Sequence, residues 1–140
     1  MFFVPENRHY NQHNNQNDDL KNVITCFRNL KSFKEYSTEE LVSAAEKAAK
    51  ALRVNSSNLR KFHGEISKQW ENYRTSKEFD INQIILMKPL LAYMAGRDRK
   101  LKDFSELITV AIEKIKDAKD FEKFKQFYDS LIAYHRYYGG

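Results

Sequence analysis

From residue 18 onward, apolar side chains recur every three or four positions, the spacing that lines one face of an α-helix. Asp18 or Asp19 opens the first such stretch, with Leu20, Val23, Phe27 and Leu30 on its stripe. Ser37 followed by Glu40 fits a reciprocal cap, in which each side chain accepts the other's backbone N–H. It predicts a second helix carrying Leu41, Ala44, Ala45, Ala48 and Leu52, whose small face suits a close neighbour. Asn55-Ser56-Ser57 starts a third helix. Its Leu59, Phe62, Ile66, Trp70 and Tyr73 fall within roughly 80° on a wheel of about 100° per residue.

Asp80 starts a fourth helix that is apolar on nearly every side between Ile81 and Ala95, the pattern of a central, surrounded helix. Pro89 should kink or split it, and Gly96 is placed to stop it. A fifth helix is predicted from Leu101 to Ala118, with Phe104, Leu107, Ile108, Ala111 and Ile115 inward. A sixth opens at Asp120 and carries Phe121, Phe124, Phe127, Tyr128, Leu131, Ile132, Tyr134 and Tyr138. Nowhere does sustained alternation meet turn signals, so no sheet is expected. The reading is an all-α single compact bundle of five to six helices over 18–140. Residues 1–17 are Asn/Gln-rich, with almost no aliphatic content, and read as a flexible tail.

Composition agrees. A chain of 140 residues fits one domain with a real core. Four Gly and two Pro argue against a turn-rich β-sandwich. The single Cys26 has no partner for an internal disulfide and fits a reducing, cytoplasmic compartment. It follows an aliphatic stretch and reads as a small packed hydrophobe. No apolar run approaches the roughly 18 residues of a membrane span, so no membrane partner is expected.

Charge changes the picture more. The net charge is +5, and the excess lies in two segments. Residues 53–77 hold Arg53, Arg60, Lys61, Lys68, Arg74 and Lys77 against Glu65 and Glu71. Residues 97–102 hold Arg97, Arg99, Lys100 and Lys102 against Asp98. Clustered positive charge is the footprint of a polyanion binder; a solvated face is the plainer alternative.

Catalytic and cofactor signals are missing. There is no glycine-rich phosphate loop and no paired-cysteine zinc site, so no cofactor, metal or catalytic residue is assigned. His9 and His13 have helical ligand spacing but sit in the low-complexity tail. His135 lies in the apolar arc of the sixth helix and reads as a core or interface histidine donating one hydrogen bond.

The wheel of the third helix places Ser57, Arg60, Lys61, Gly64 and Lys68 opposite its apolar arc. A mid-helix glycine costs about 1 kcal/mol relative to alanine, and is found where another backbone comes close. A sugar-phosphate backbone lying across Gly64, with Arg60, Lys61 and Lys68 on its phosphates, accounts for the pattern. Helix–helix packing at Gly64 is the alternative. Lys88, the lone charge between Ile81 and Ala95, either snorkels to solvent or reaches a ligand at the domain edge. Arg97, Arg99 and Lys100 after Gly96 form a second basic patch. The candidate RNA-contact set is therefore Arg53, Arg60, Lys61, Gly64, Lys68, Lys88, Arg97, Arg99 and Lys100. Nothing offers a compact reader of base edges, which points to recognition of shape and charge.

Three short motifs, in this order and spacing, carry a resemblance: Ser56-Ser57-Asn58-Leu59-Arg60-Lys61-Phe62, then Lys88-Pro89-Leu90-Leu91-Ala92-Tyr93-Met94-Ala95-Gly96-Arg97, then Phe121, Phe124 and Phe127 with Ala133-Tyr134-His135-Arg136-Tyr137-Tyr138-Gly139-Gly140. From about residue 20 to the end, the chain resembles the small helical subunit of the type III-A CRISPR–Cas (Csm) effector complex. The Asn/Gln-rich leader is no part of that pattern. The resemblance implies a non-catalytic helical bundle, present in several copies along a guide RNA–target RNA duplex. Its partners would be the guide RNA, single-stranded target RNA, the backbone and large subunits, and further copies of itself. Target cleavage would belong to a backbone subunit, and signalling and DNase activities to the large one. Arg60 and Lys61 match the basic pair opening the family's third helix, Arg97 the basic residue ending its fourth, and His135 the family's histidine. Two rivals stay open: a protein–protein adaptor using the aromatic sixth helix, and a helix-turn-helix-like DNA binder.

Overall fold

The computed structural model describes residues 18–139. The Asn/Gln-rich leader with His9 and His13 lies outside the described residues, as does the last glycine. The described chain is helical nearly throughout and contains no strand, as the spacing predicts. Its elements are α1 (residues 18–29), α2 (Thr38–Ala51), α3 (Ser56–Ser76), α4 (Ile81–Ile85), α5 (Met87–Arg97), α6 (Lys102–Glu113) and α7 (Ala118–Tyr137). Short 3₁₀ turns occupy Phe33–Glu35 and Arg99–Leu101.

Side-chain caps set the starts of α2, α3, α4 and α7. Ser37 Oγ accepts the Glu40 N–H at 3.1 Å, and Glu40 Oε1 accepts the Ser37 N–H at 3.0 Å. The Ser37 backbone N–H, with the hydroxyl, holds the Glu40 carboxyl below its ordinary range. Asn55 caps α3 through the Asn58 N–H, and Asp80 caps α4 through the Asn82 N–H, each at 3.0 Å.

Pro89 does divide the fourth stretch. It is the third residue of α5, where its missing N–H is harmless, while no α-helical bond can run to the Ile85 carbonyl, against which its ring would clash. The break therefore falls at Leu86. Three boundaries differ from expectation. Gly96 does not stop α5, which continues through Arg97 until Asp98 turns extended at φ −139°. α6 ends at Glu113, not Ala118. α7 is capped by Asp117, not opened by Asp120.

Asp120 instead lies in the first turn of α7, fully buried. Its carboxylate accepts the Lys34 and Lys116 backbone N–H groups at 2.7 and 2.8 Å. Those bonds tie the first 3₁₀ turn to α7 and satisfy a charge that would otherwise be costly to bury. The same turn delivers Phe33, fully buried, against Phe27, Phe124 and Phe127 in edge-to-face contacts.

The central helix is α7, not the apolar fourth stretch. It packs on α2, α3 and the Phe33 turn, and buries Phe121, Phe124, Phe127, Tyr128 and Leu131 completely. α5 packs on α6 at the edge and buries only Met87 and Leu91. Leu86 and Tyr93 are each 60% exposed, and Ile85 and Leu90 are exposed beside them. Cys26 is exposed too, not packed. No described helix is long and apolar enough to cross a membrane.

Candidate nucleic-acid interface

α3 is held to the bundle by Leu59, Phe62 and Ile66, all buried, so the opposite side must face out. That side carries Arg60, Lys61, Gly64 and Lys68, all exposed. A Cβ added at Gly64 would meet nothing within 4 Å. No neighbouring helix uses the glycine, which removes helix packing within this chain as its reason. Arg60, Lys61 and Lys68 form no ion pair with any described residue.

The two basic segments converge. Lys61 on α3 and Arg97 on α5 line one cleft of about 580 Å³, with Asn58 and Glu65 on the α3 side and Asp98 beyond Arg97. Phe62, Leu90, Tyr93 and Met94 supply apolar walls. The Arg97 guanidinium lies 5.8 Å from the Tyr93 ring centroid, a cation–π distance. Arg99 and Lys100 are exposed on the 3₁₀ turn that follows, where Asp98 accepts the Lys100 N–H at 3.0 Å. Arg60 lies on the other flank of α3, at a small crevice shared with Arg136 and His135. Arg53 is exposed on the link between α2 and α3.

Lys88 stands apart: its Nζ donates to Glu113 at 2.9 Å, so its charge is matched inside the fold. Neither described histidine lines the cleft. His135 is buried and its Nε2–H donates to the Val54 carbonyl at 2.9 Å, holding the α2–α3 link on α7. His63 pairs with Asp129 at 2.9 Å and stacks on Tyr128. The Tyr128 hydroxyl donates to the Leu59 carbonyl at 2.9 Å, and burial pushes its pKa far up. Among the described residues no three His, Cys, Asp or Glu side chains converge to hold a metal.

Sequence reasoning missed Tyr93, Asn58, Glu65 and Arg136 as neighbours of the basic groups. The pattern held one signal for Tyr93: it precedes Arg97 by four residues, the spacing that stacks side chains along a helix.

The Csm2 Type III-A family model matches residues 35–140. The CRISPR system Cms protein Csm2 of Streptococcus thermophilus is 29% identical over 114 residues, covering 73% of this chain and 93% of that protein. No solved structure matches the chain significantly.

Proposed function

The chain belongs to the Csm2 type III-A family, the small subunit of the type III-A CRISPR–Cas effector complex, and from that premise we propose that it is a non-catalytic RNA-binding subunit. Its exposed α3 face contacts the sugar-phosphate backbone of guide and target RNA, in several copies per complex, in the prokaryotic cytoplasm. One observation carries this reading: a mid-helix glycine opening on empty space, flanked by three cations that no described residue neutralises. Such a face admits a backbone closely and supplies charge to phosphates without reading bases. Sequence would be read by guide–target pairing, so the subunit needs no base-edge reader of its own.

The adaptor alternative keeps only the end of the surface it named: Phe121, Phe124, Phe127 and Tyr128 are fully buried, whereas Tyr137 and Tyr138 are exposed. The exposed Ile85, Leu86 and Leu90 edge is where contacts to other subunits of the complex would form.

The reading is tested by measuring RNA affinity against salt for Arg60→Ala/Lys61→Ala. Each lost phosphate contact lowers the slope of log affinity against log salt by about 0.7 on a single strand. The double variant should lose about 1.4 in slope, by the same amount for unrelated sequences, with an unchanged melting temperature. An unchanged slope would overturn the α3 site.

A further inference from the structure

We infer that the cleft between α3 and α5 receives an unpaired nucleobase of the bound RNA, stacked on Tyr93. The inference rests on the RNA-backbone reading of the α3 face and adds the chemical class of what enters beside it. The cleft is unlike a phosphate trap. It sets the carboxylates of Glu65 and Asp98 among the cations Lys61 and Arg97, so its interior is less favourable to a phosphate than the all-cationic face at Gly64. What fits is an amphipathic group with a flat apolar face and N–H donors at its edge. A nucleobase has both.

Tyr93 supplies the platform. It is 60% exposed on the wall of the cleft, where a purely structural aromatic would be covered. Aromatic stacking of this kind is tolerant of base identity, because every base has a π face. Lys61 and Arg97 sit on opposite sides, one on each helix, Arg97 beside the Tyr93 ring, and would meet the phosphates 5′ and 3′ of the inserted base. Asn58 and Glu65 offer an amide and a carboxylate to its edge. The volume, about 580 Å³, lies within the roughly 300–1,000 Å³ of ligand sites. A base paired in a duplex cannot enter, so the cleft selects unpaired nucleotides, whereas the α3 face accepts any backbone.

The experiment compares full-length wild type, Tyr93→Ala, Tyr93→Phe, Lys61→Ala and Arg97→Ala on three probes. These are a single-stranded RNA 12-mer, the same 12-mer carrying abasic sites, and a blunt RNA duplex. Tyr93→Ala should weaken single-strand binding about tenfold, with the salt slope unchanged. Tyr93→Phe should bind as wild type. The abasic strand should bind wild type and Tyr93→Ala alike, and the duplex should be indifferent to Tyr93. Lys61→Ala and Arg97→Ala should each lower the single-strand salt slope by about 0.7. Wild-type affinity of Tyr93→Ala, with the slope still falling in the two cation variants, would overturn the stacking site and leave the backbone reading standing. A loss on the abasic strand as large as on the intact one would also overturn it. No change in any variant on any probe would overturn both, and would leave the cleft to an apolar side chain of a partner subunit.

Discussion

α7 and the α4–α5 edge are both rich in apolar residues, yet the fold treats them oppositely. In α7 Phe121, Phe124, Phe127 and Tyr128 sit on one arc, with Glu122, Lys123 and Gln126 between them, and those four are buried completely, while Tyr137 and Tyr138 at the helix end are exposed. In α5 apolar residues run all round the helix. A chain of this size covers one side of such an edge helix with α6, and the other side, with Leu86, Leu90 and Tyr93, remains in solvent. An apolar stripe marks the face a helix buries in its own chain. Apolar residues beyond that stripe mark surface kept for something else, since contiguous exposed patches belong to interaction sites.

Two substitutions of comparable chemical severity should separate the regions. Phe127→Ala removes a ring that contacts Phe27 and Phe33 at 5.1 and 6.0 Å. It should cost about 3–5 kcal/mol in chemical denaturation, the range for a buried aromatic. A loss below about 1 kcal/mol would mean that α7 is not the core. Leu86→Gln, at the break between α4 and α5, should change the stability of the isolated chain by no more than about 0.5 kcal/mol. Its effect should appear only in assembly with the other complex subunits, read by co-purification. Destabilisation of the isolated chain on the scale of Phe127→Ala would show the edge to be part of the core.

The same contrast explains what could be read from sequence. Caps are local chemistry, so Ser37 with Glu40, Asn55 and Asp80 mark helix starts correctly. The Pro89 break follows from one ring and one carbonyl. Asp120 looked like a cap because it is an acid ahead of an apolar run, but Asp117 takes that place and Asp120 serves two backbone N–H groups from other turns. Gly96 misled for a similar reason: a glycine near a helix end need not be its stop when Asp98 is there to turn the chain. Periodicity alone points the fourth stretch to the centre, because it records hydrophobicity and not what is available to cover it.

For the candidate interface, the exposure of the charges and of Gly64 is legible, because the buried arc of α3 fixes the opposite face. The meeting of Lys61 with Arg97 is not, since it depends on how α3 and α5 lie side by side. Nor is the Lys88–Glu113 pair, which joins residues 25 apart on different helices.

The smallest structural change gives the most direct test of the interface: Gly64→Leu, measured for melting temperature and for affinity to single-stranded RNA. The added side chain meets nothing in this chain, and it replaces the weakest helix former apart from proline, so stability should rise by about 0.5–1 kcal/mol. RNA affinity should nevertheless fall, because the side chain holds a backbone away from Arg60, Lys61 and Lys68. A more stable protein that binds RNA less well is the predicted result. A more stable protein with undiminished RNA affinity would contradict the account.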